Sequence, residues 1–383
     1  MYHVFDENQR GIFSFAIGTV APQILMIAYY GIRPIHITDT LYKYSFGEYL
    51  NLKIFTCIFA LICCITYLFL KPNDSLKTTI ILLVSIYRII DGFADVYEAE
   101  FQRQGYLYLA GMSCTFRTVI SLIVFVITLF FYRNLVISCF CIIISAMIGV
   151  IFFNVRYTMH ISTINYKRNI SNSLILMRKG ILLFIAAFLD LYIFNATKFI
   201  IDNHLTNSDS AIYGAIFMPT SIIALLSGFL IRPLLSDLAE KWNLRKYKTF
   251  GIEIVKLSII ISLLTCIVLC GTNFVGIRIL KVIFNEDFFL YRKSLLVIII
   301  GGGFYSLSSV FYYVLIIMNC QNYIFIAYAL CCLILYPLSN HLVFVWGIWG
   351  GAMAYCISCF LLMLFQILLV LFLYPKKSMV DTF

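Results

Sequence analysis

The sequence predicts an all-α integral membrane protein with about eleven transmembrane helices arranged as two repeated bundles. Of its 383 residues, 62% are hydrophobic and only 12% are charged, whereas about 25% are charged in a typical soluble domain. Long apolar stretches recur along the whole chain. The tripeptide Ile-Arg-Pro also occurs twice, starting at Ile32 and at Ile231, each time at the end of such a stretch. These observations exclude an ordinary soluble protein and indicate an internal duplication.

The apolar stretches give the predicted transmembrane spans. A helix needs roughly 20 residues to cross about 30 Å of hydrocarbon. Because the stretches are continuously apolar rather than alternating, they predict helices and not the strands of a barrel. The eleven predicted spans lie near 11–31, 51–70, 78–97, 106–131, 135–155, 180–201, 211–231, 253–271, 294–318, 322–339 and 346–373.

A second repeated pattern supports the duplication. The run QGYLYLA from Gln104 follows the third span, and the similar run QNYIFIA from Gln321 follows the ninth. We predict an N-terminal bundle at 1–165 with spans one to five and a C-terminal bundle at 166–383 with spans six to eleven. The span at 180–201 has no partner in the first half, so a helix is expected to be missing before Met1. Repeated helix bundles are typical of transporters with alternating access.

The positions of Lys and Arg predict the orientation in the membrane, because cytoplasmic loops are enriched in these residues. Of the 28 Lys and Arg residues, 17 follow the odd-numbered spans or lie at the C-terminus, among them Lys53 and Lys376. We therefore predict a cytoplasmic C-terminus. The net charge of +10 is interpreted as this topology signal, so no nucleic-acid partner is expected.

No cofactor, metal ion or catalytic residue is predicted. The 13 cysteines lie almost entirely in apolar spans, where cysteine behaves as a small hydrophobic residue. Cys356 and Cys359 form a CxxC pattern, but no second pair of ligands accompanies them. The chain contains no GxxxxGK[ST] motif for nucleotide phosphates. A transporter rather than an enzyme is expected.

Charged residues inside the third and fourth spans are the strongest candidates for a functional site. Arg88, Asp91 and Asp95 share one face of a helix. Asp91 and Arg117 are equally far from Gln104, so they should lie at the same depth in antiparallel neighbours, and an ion pair is predicted. One interpretation is that these charges only hold two helices in register. The other is that Arg88 and Arg117 bind an anionic headgroup, while Asp91 and Asp95 couple transport to an ion.

Further candidates lie in the second half of the chain. Asp190 is either an ion-coupling residue or a carboxyl group kept neutral by burial. Lys198 is either a substrate ligand or a side chain that reaches the membrane surface. Tyr305 and Tyr312 share a helix face and either stack on sugar rings or pack at the membrane interface.

The two arginines of the repeated tripeptide are predicted to mark the cytoplasmic ends of their helices. Arg33 and Arg232 each precede a proline, which disfavours helical geometry at the residue before it. They are interpreted either as gate residues of the cytoplasmic mouth or as anchors at the lipid surface.

Five blocks of sequence carry a resemblance to a known family. They are FSFAIGTVAPQILMIAYYGIRPIHITD, RIIDGFADVYEAEFQRQG, NATKFIID followed by YGAIFMP, IRPLLSDLAEKW, and GIWGGA. In order and spacing they resemble polysaccharide (O-antigen, Wzx-type) flippases of the multidrug/oligosaccharidyl-lipid/polysaccharide exporter superfamily. The resemblance implies a twelve-helix exporter fold, here without its first helix.

The resemblance also implies a function. Such proteins translocate undecaprenyl-diphosphate-linked oligosaccharide repeat units, of O-antigen (lipopolysaccharide) or capsule type, from the cytoplasmic to the outer leaflet of the bacterial inner membrane. They use no ATPase, and polysaccharide polymerase and chain-length proteins are their expected partners. The alternatives left open by the residues are a cation-coupled drug antiporter of the same superfamily and an integral-membrane polysaccharide polymerase or glycosyltransferase.

Overall fold

The computed structural model describes residues 7–39, 42–71, 74–161, 164, 166–284, 288–318 and 320–380. Over these ranges the chain is helical and contains no strand, which confirms the predicted all-α fold class. The helices are α1 (7–29), α2 (Arg33–Thr38), α3 (Phe46–Leu70), α4 (Ser75–Arg103), α5 (Leu107–Tyr132), α6 (Leu135–His160), α7 (Ile170–His204), α8 (Asn207–Ile231), α9 (Leu235–Asn243), α10 (Tyr247–Phe284), α11 (Arg292–Ile317), α12 (321–346) and α13 (348–380).

The predicted number of spans is confirmed within the described residues. Eight helical stretches are long and apolar enough to cross a membrane, and the last of them contains both α12 and α13. Helices α4 and α7 have the required length but carry more charge than these stretches. Each of the eleven predicted spans coincides with one of these helices. The protein is a multi-pass membrane protein.

Contacts divide the chain into two units, one up to Leu191 and one from Tyr192 onward. The first unit contains a core of tyrosine, phenylalanine and aliphatic side chains around Tyr49 and Phe101. The core of the second unit surrounds Tyr213, Phe217 and Tyr355. The division of the repeat at residues 165 and 166 remains a prediction.

In the described part of the chain, three helices contain a π-helical turn, which holds one residue more than an α-helical turn. The turns are Ala16–Val20 in α1, Val150–Val155 in α6 and Thr272–Gly276 in α10. In α1 the turn lies just before Pro22, which has no N–H for the helical hydrogen bond and crowds the preceding carbonyl groups. In α6 the turn holds Asn154, which is fully buried.

Left-handed residues end the helices near the charged residues. Helix α1 stops at Tyr30 and Gly31, whose φ values are +55° and +61°. Helix α4 is joined to α5 by a short turn in which Gly105 has φ +84°. Helix α3 begins at a capping box, in which Glu48 N donates to Ser45 Oγ and Ser45 N donates to Glu48 Oε2. These ends bring α1, α3, α4 and α5 together at the charged residues.

Gly347 makes the turn between α12 and α13. Its φ of 55° and ψ of −132° belong to a region that is essentially restricted to glycine. The two helices then run antiparallel, since Cys331 Sγ contacts the carbonyl of Ser358 at 3.5 Å. The two helices approach each other so closely after the turn that a Cβ atom on Gly350 would collide with the backbone carbonyl of Leu342.

We expect Gly347→Ala to destabilise the protein by about 1–3 kcal/mol, because alanine is strained in this conformation. The measurement is the midpoint of thermal unfolding in detergent. Gly228→Ala is the matched control, because Gly228 lies inside α8 with open space where a Cβ would be placed. An equal midpoint for Gly347→Ala and wild type would contradict the assignment of the turn.

Candidate functional site

Helix α4 presents three carboxylates along one face inside the first unit. Asp91, Asp95 and Glu98 follow each other at intervals of four and three residues, so they project from the same side of the helix. All three are buried. A charge buried in this way needs a partner of opposite sign. The positively charged partners come from α2, α3, α5 and α4 itself.

Arg117 of α5 joins two of these carboxylates. Its Nε lies 3.3 Å from Asp91 Oδ1, so the predicted ion pair is present. Its Nη1 lies 2.8 Å from Glu98 Oε1 and donates to Asn154 Oδ1 at 3.2 Å. The π-helical turn of α6 brings Asn154 to this place. Arg117 is 3% exposed, and its hydrogen bonds are directed into the protein.

Lys53 of α3 binds Asp95 and the end of α1. Its Nζ lies 3.2 Å from Asp95 Oδ2 and 3.4 Å from the carbonyl oxygens of Ala28 and Tyr29. The last carbonyl groups of a helix have no partner within the helix. Lys53 therefore satisfies both a buried carboxylate and a helix end. Close packing of Gly92 on Ala28 holds α4 against this end, since a Cβ on Gly92 would lie 2.6 Å from that of Ala28.

Arg33 and Arg88 also bind these carboxylates, and their side chains are partly exposed. Arg33 Nη1 lies 2.5 Å from Asp95 Oδ1 and 3.7 Å from Glu98 Oε2. Arg88 Nη1 lies 3.2 Å from Asp91 Oδ2. Their side chains are 38% and 29% exposed, respectively, whereas those of Lys53 and Arg117 are buried.

We call these seven residues the charge network: Arg33, Lys53, Arg88, Asp91, Asp95, Glu98 and Arg117. Among the described residues it contains four cations and three carboxylates, so one positive charge is in excess when all are ionised. The carboxylates and the two buried cations satisfy each other. The excess charge is available to a ligand only through the two partly exposed guanidinium groups.

A second cluster of charges lies at the end of the same helices, beside the loops that follow α2 and α6. Glu100 Oε2 lies 2.8 Å from His36 Nε2 and 2.7 Å from Arg103 Nη2. Arg103 Nη1 donates to the carbonyl of Tyr44 at 2.9 Å and lies 3.5 Å from Asp39 Oδ2. The cluster closes one wall of a small polar pocket of about 260 Å³. Its charges mostly satisfy one another, and they hold the loop at 42–45 onto α4.

The predicted residues of the second unit do not form one group. Lys198 donates to Asn195 Oδ1 at 3.0 Å, and its Nζ lies 5.7 Å from the centre of the Phe194 ring. Tyr305 also contacts Phe194, with ring centres 4.9 Å apart. Tyr312 packs elsewhere, against Tyr313 and Tyr328.

Asp190 and Arg232, the two remaining predicted residues, lie apart from the charge network in the sequence. Asp190 lies on α7 in the first unit and is partly buried. The side chain of Arg232 lies outside the described residues; its backbone forms a short 3-10 turn between α8 and α9. The first arginine of the repeated tripeptide similarly begins α2, so a helix end followed by a short helix occurs at both places.

Two members of the charge network, Lys53 and Glu98, were not predicted from the sequence as site residues. Lys53 was counted among the loop cations but lies inside α3, buried against Asp95. Glu98 lay just beyond the predicted third span, although it continues the face of Asp91 and Asp95. The helical spacing could have identified Glu98, because α4 extends to Arg103. The contact of Lys53 depends on where α1 ends in space.

Solved structures of membrane transporters share this fold. An inward-facing multidrug resistance MATE family transporter of the MOP superfamily aligns with a TM-score of 0.71 and 12% identity, over 99% of this chain and 90% of that one. The eukaryotic MATE transporter AtDTX14 gives 0.68 and 13%, over 97% and 88%. The lipid II flippase MurJ, in an inward closed conformation, gives 0.65 and 14%, over 97% and 87%. At such identities the likeness shows the fold.

A curated protein is similar to part of the chain in sequence. It is the capsular polysaccharide biosynthesis protein CapF of Staphylococcus aureus, which is 31% identical over 141 residues. The match spans 36% of this chain and only about a third, 33%, of the length of that relative. No family model matches the chain. The chain thus has the fold of MOP-superfamily transporters, with a partial sequence likeness to a capsule biosynthesis protein.

We expect Arg117→Gln to lower the stability of the protein strongly, by about 3–5 kcal/mol, because it leaves Asp91 and Glu98 without their shared buried cation. The thermal unfolding midpoint in detergent measures the effect. The triple variant with Asp91→Asn and Glu98→Gln should recover much of the loss, since no buried carboxylate then lacks its partner.

Arg278→Gln is the control for this experiment, because Arg278 is exposed on α10. Its midpoint should equal that of the wild type. A wild-type midpoint for Arg117→Gln, or no recovery in the triple variant, would show that the charge network does not stabilise the first unit.

Proposed function

We propose that the protein is a flippase that moves undecaprenyl-diphosphate-linked oligosaccharide repeat units, of O-antigen or capsule type, from the cytoplasmic to the outer leaflet. The observation that carries this proposal is the excess positive charge of the charge network, which reaches the surface through Arg33 and Arg88. Guanidinium groups bind phosphate oxygens through paired hydrogen bonds. A diphosphate that links a lipid to a sugar presents such oxygens.

The network assigns different roles to its arginines in this proposal. Arg33 and Arg88 each direct Nη1 at a carboxylate, so Nη2 of each remains for a phosphate oxygen. Arg117, which the sequence suggested as a ligand, acts as a positioning residue, because its contacts are directed to Asp91, Glu98 and Asn154. Lys198, Tyr305 and Tyr312 of the second unit remain candidate contacts for the glycan. Arg232 remains a candidate gate residue.

The names of two similar proteins support the proposal of a lipid-linked saccharide as substrate. The structural neighbour MurJ is a flippase of lipid II, and the sequence relative CapF takes part in capsular polysaccharide biosynthesis. The proposed partners are the lipid-linked oligosaccharide itself and the polymerase and chain-length proteins that use it. The bacterial inner membrane with a cytoplasmic C-terminus is the proposed location. An ion gradient is the proposed source of energy.

A cation-coupled drug antiporter is the second candidate. The observation in its favour is the row of three buried carboxylates on α4, together with the MATE transporters among the structural neighbours. Each of these carboxylates has at least one cationic partner within 3.3 Å. A coupling ion or a cationic drug would have to displace that partner. For this reason we favour the flippase.

We expect deletion of the gene in its host to cause accumulation of lipid-linked oligosaccharide, and the wild-type chain to clear it. Arg88→Gln and Arg33→Gln should each reduce clearance about 10- to 100-fold, because a hydrogen bond to a charged group contributes roughly 1.5–3 kcal/mol. Arg88→Lys, which keeps the charge, should retain more activity than Arg88→Gln. Extraction and quantification of the lipid-linked pool is the measurement.

Two controls make this experiment decisive. Membrane levels of each variant are compared by immunoblot, and Arg278→Gln should clear the pool as the wild type does. If deletion causes no accumulation, the flippase function is wrong. If accumulation occurs but Arg33→Gln and Arg88→Gln clear it normally, the flippase function stands and the proposed phosphate contacts are wrong.

The antiporter hypothesis makes a separate prediction. In everted membrane vesicles with an imposed proton or sodium gradient, an antiporter would export ethidium, and Asp95→Asn would abolish this export. We expect no gradient-dependent ethidium movement above that of vesicles without the protein. Clear export that depends on Asp95 would replace the flippase proposal.

A further inference from the structure

A groove of about 930 Å³ runs along the exposed face of the α5–α6 pair in the first unit. Its lining includes no residue of the charge network and none of the pocket beside Arg103. Most of its length is lined by apolar side chains, whereas one end is polar. The residues used below are Ile120, Ile144 and Ile148 on the apolar walls and Arg156, Tyr157 and His160 at the polar end.

The apolar part of the groove faces lipid. Ile120, Ile144 and Ile148 lie within membrane-spanning helices and are 41%, 44% and 49% exposed. In a multi-pass protein such exposed apolar side chains contact acyl chains rather than water. A concave apolar surface of this kind has the shape and polarity to accommodate a lipid chain.

The polar end lies at the depth of the lipid headgroups. Helix α6 begins at Leu135, and at 1.5 Å per residue Arg156 is roughly 30 Å further along. This distance matches the thickness of the hydrocarbon core, about 30 Å. Arg133 lies just before α6 and Arg156 near its end, so the two arginines mark opposite membrane interfaces. Arg156 is thus placed where lipid phosphates lie.

The charges at the polar end are unlike those of the charge network. No carboxylate lines the groove, and Arg156 makes no ion pair within the part of the chain that the structure describes. His160 Nδ1 donates to the backbone carbonyl of Arg156 at 2.8 Å, which holds the imidazole ring against the last turn of α6. Tyr157 adds a hydroxyl group to the same end. The groove therefore offers an arginine and further hydrogen-bonding groups, with no acid to bind an amine.

We propose that this groove binds an anionic phospholipid of the surrounding bilayer, with its phosphate at Arg156 and one acyl chain along Ile148, Ile144 and Ile120. The combination of a chain-sized apolar groove and an uncompensated cation at phosphate depth is complementary to such a lipid. A zwitterionic headgroup fits less well, because its amine would face Arg156 without a carboxylate to bind. The site does not depend on the proposed flippase function.

One wall of the groove packs against Arg117, a member of the charge network. Gly149 lines the groove, and a Cβ atom at this position would lie 2.8 Å from Arg117 Cγ. A lipid in the groove consequently packs against the turn of α6 that supports Arg117. Occupancy of the groove should stabilise the first unit.

The test is native mass spectrometry of the full-length protein in detergent, titrated with phosphatidylglycerol or phosphatidylcholine. We expect the wild type to bind phosphatidylglycerol about tenfold more tightly, which corresponds to about 1.4 kcal/mol. Arg156→Gln should remove this preference and leave phosphatidylcholine binding unchanged. Ile148→Trp, which fills the apolar groove, should weaken binding of both lipids.

Arg133→Gln is the matched control, because it removes the same charge at the opposite end of the same helix pair. It should bind phosphatidylglycerol as the wild type does. Thermal unfolding midpoints show that each variant is folded. Equal affinity for the two lipids in the wild type, or an unchanged preference in Arg156→Gln, would overturn the proposal. Displacement of phosphatidylglycerol by an equal concentration of undecaprenyl phosphate would assign the groove to an isoprenoid lipid and also overturn it.

Discussion

Pairing of buried charge is the constraint that organises the first unit. In lipid or in a protein core, an ionised carboxylate is stable only beside a cation and hydrogen-bond donors. Helix α4 carries three such carboxylates on one face, so Arg33, Lys53 and Arg117 must converge on it. These pairs hold α3 and α5 against α4, and Lys53 also binds the end of α1. The π-helical turn of α6 is part of the same arrangement, because it supplies Asn154.

The sequence was sufficient for the parts of the structure that depend on local periodicity. Continuous apolar stretches indicated the eleven helices, and equal distances from Gln104 indicated the pair of Asp91 and Arg117. It was insufficient where a contact depends on tertiary geometry. Lys53 meets Asp95 only because α1 ends at Tyr30, and Asn154 meets Arg117 only because a π-helical turn rotates it inward. The end of α1 was predicted from the sequence, but no local pattern indicates that Lys53 lies against it or that α6 contains a π-helical turn.

The residues that support the fold of this protein are largely different from those proposed to select its substrate. Solved transporters share the fold at only 12–14% identity, so the fold does not depend on most of the individual side chains. The choice of substrate depends on a smaller set of groups. In the first unit we propose that these are the exposed parts of Arg33 and Arg88.

The charge on α4 has a consequence for how the chain enters its membrane during synthesis. Near the bilayer centre, each isolated Asp or Arg on a helix would oppose insertion by roughly 2.5–3.5 kcal/mol. Helix α4 is accordingly absent from the stretches that are apolar enough to cross on their own. Its partner Arg117 lies in the next helix to emerge from the ribosome, after the short turn at Gly105. Helices α4 and α5 therefore partition into lipid most favourably as one hairpin, in which Arg117 already faces Asp91 and Glu98.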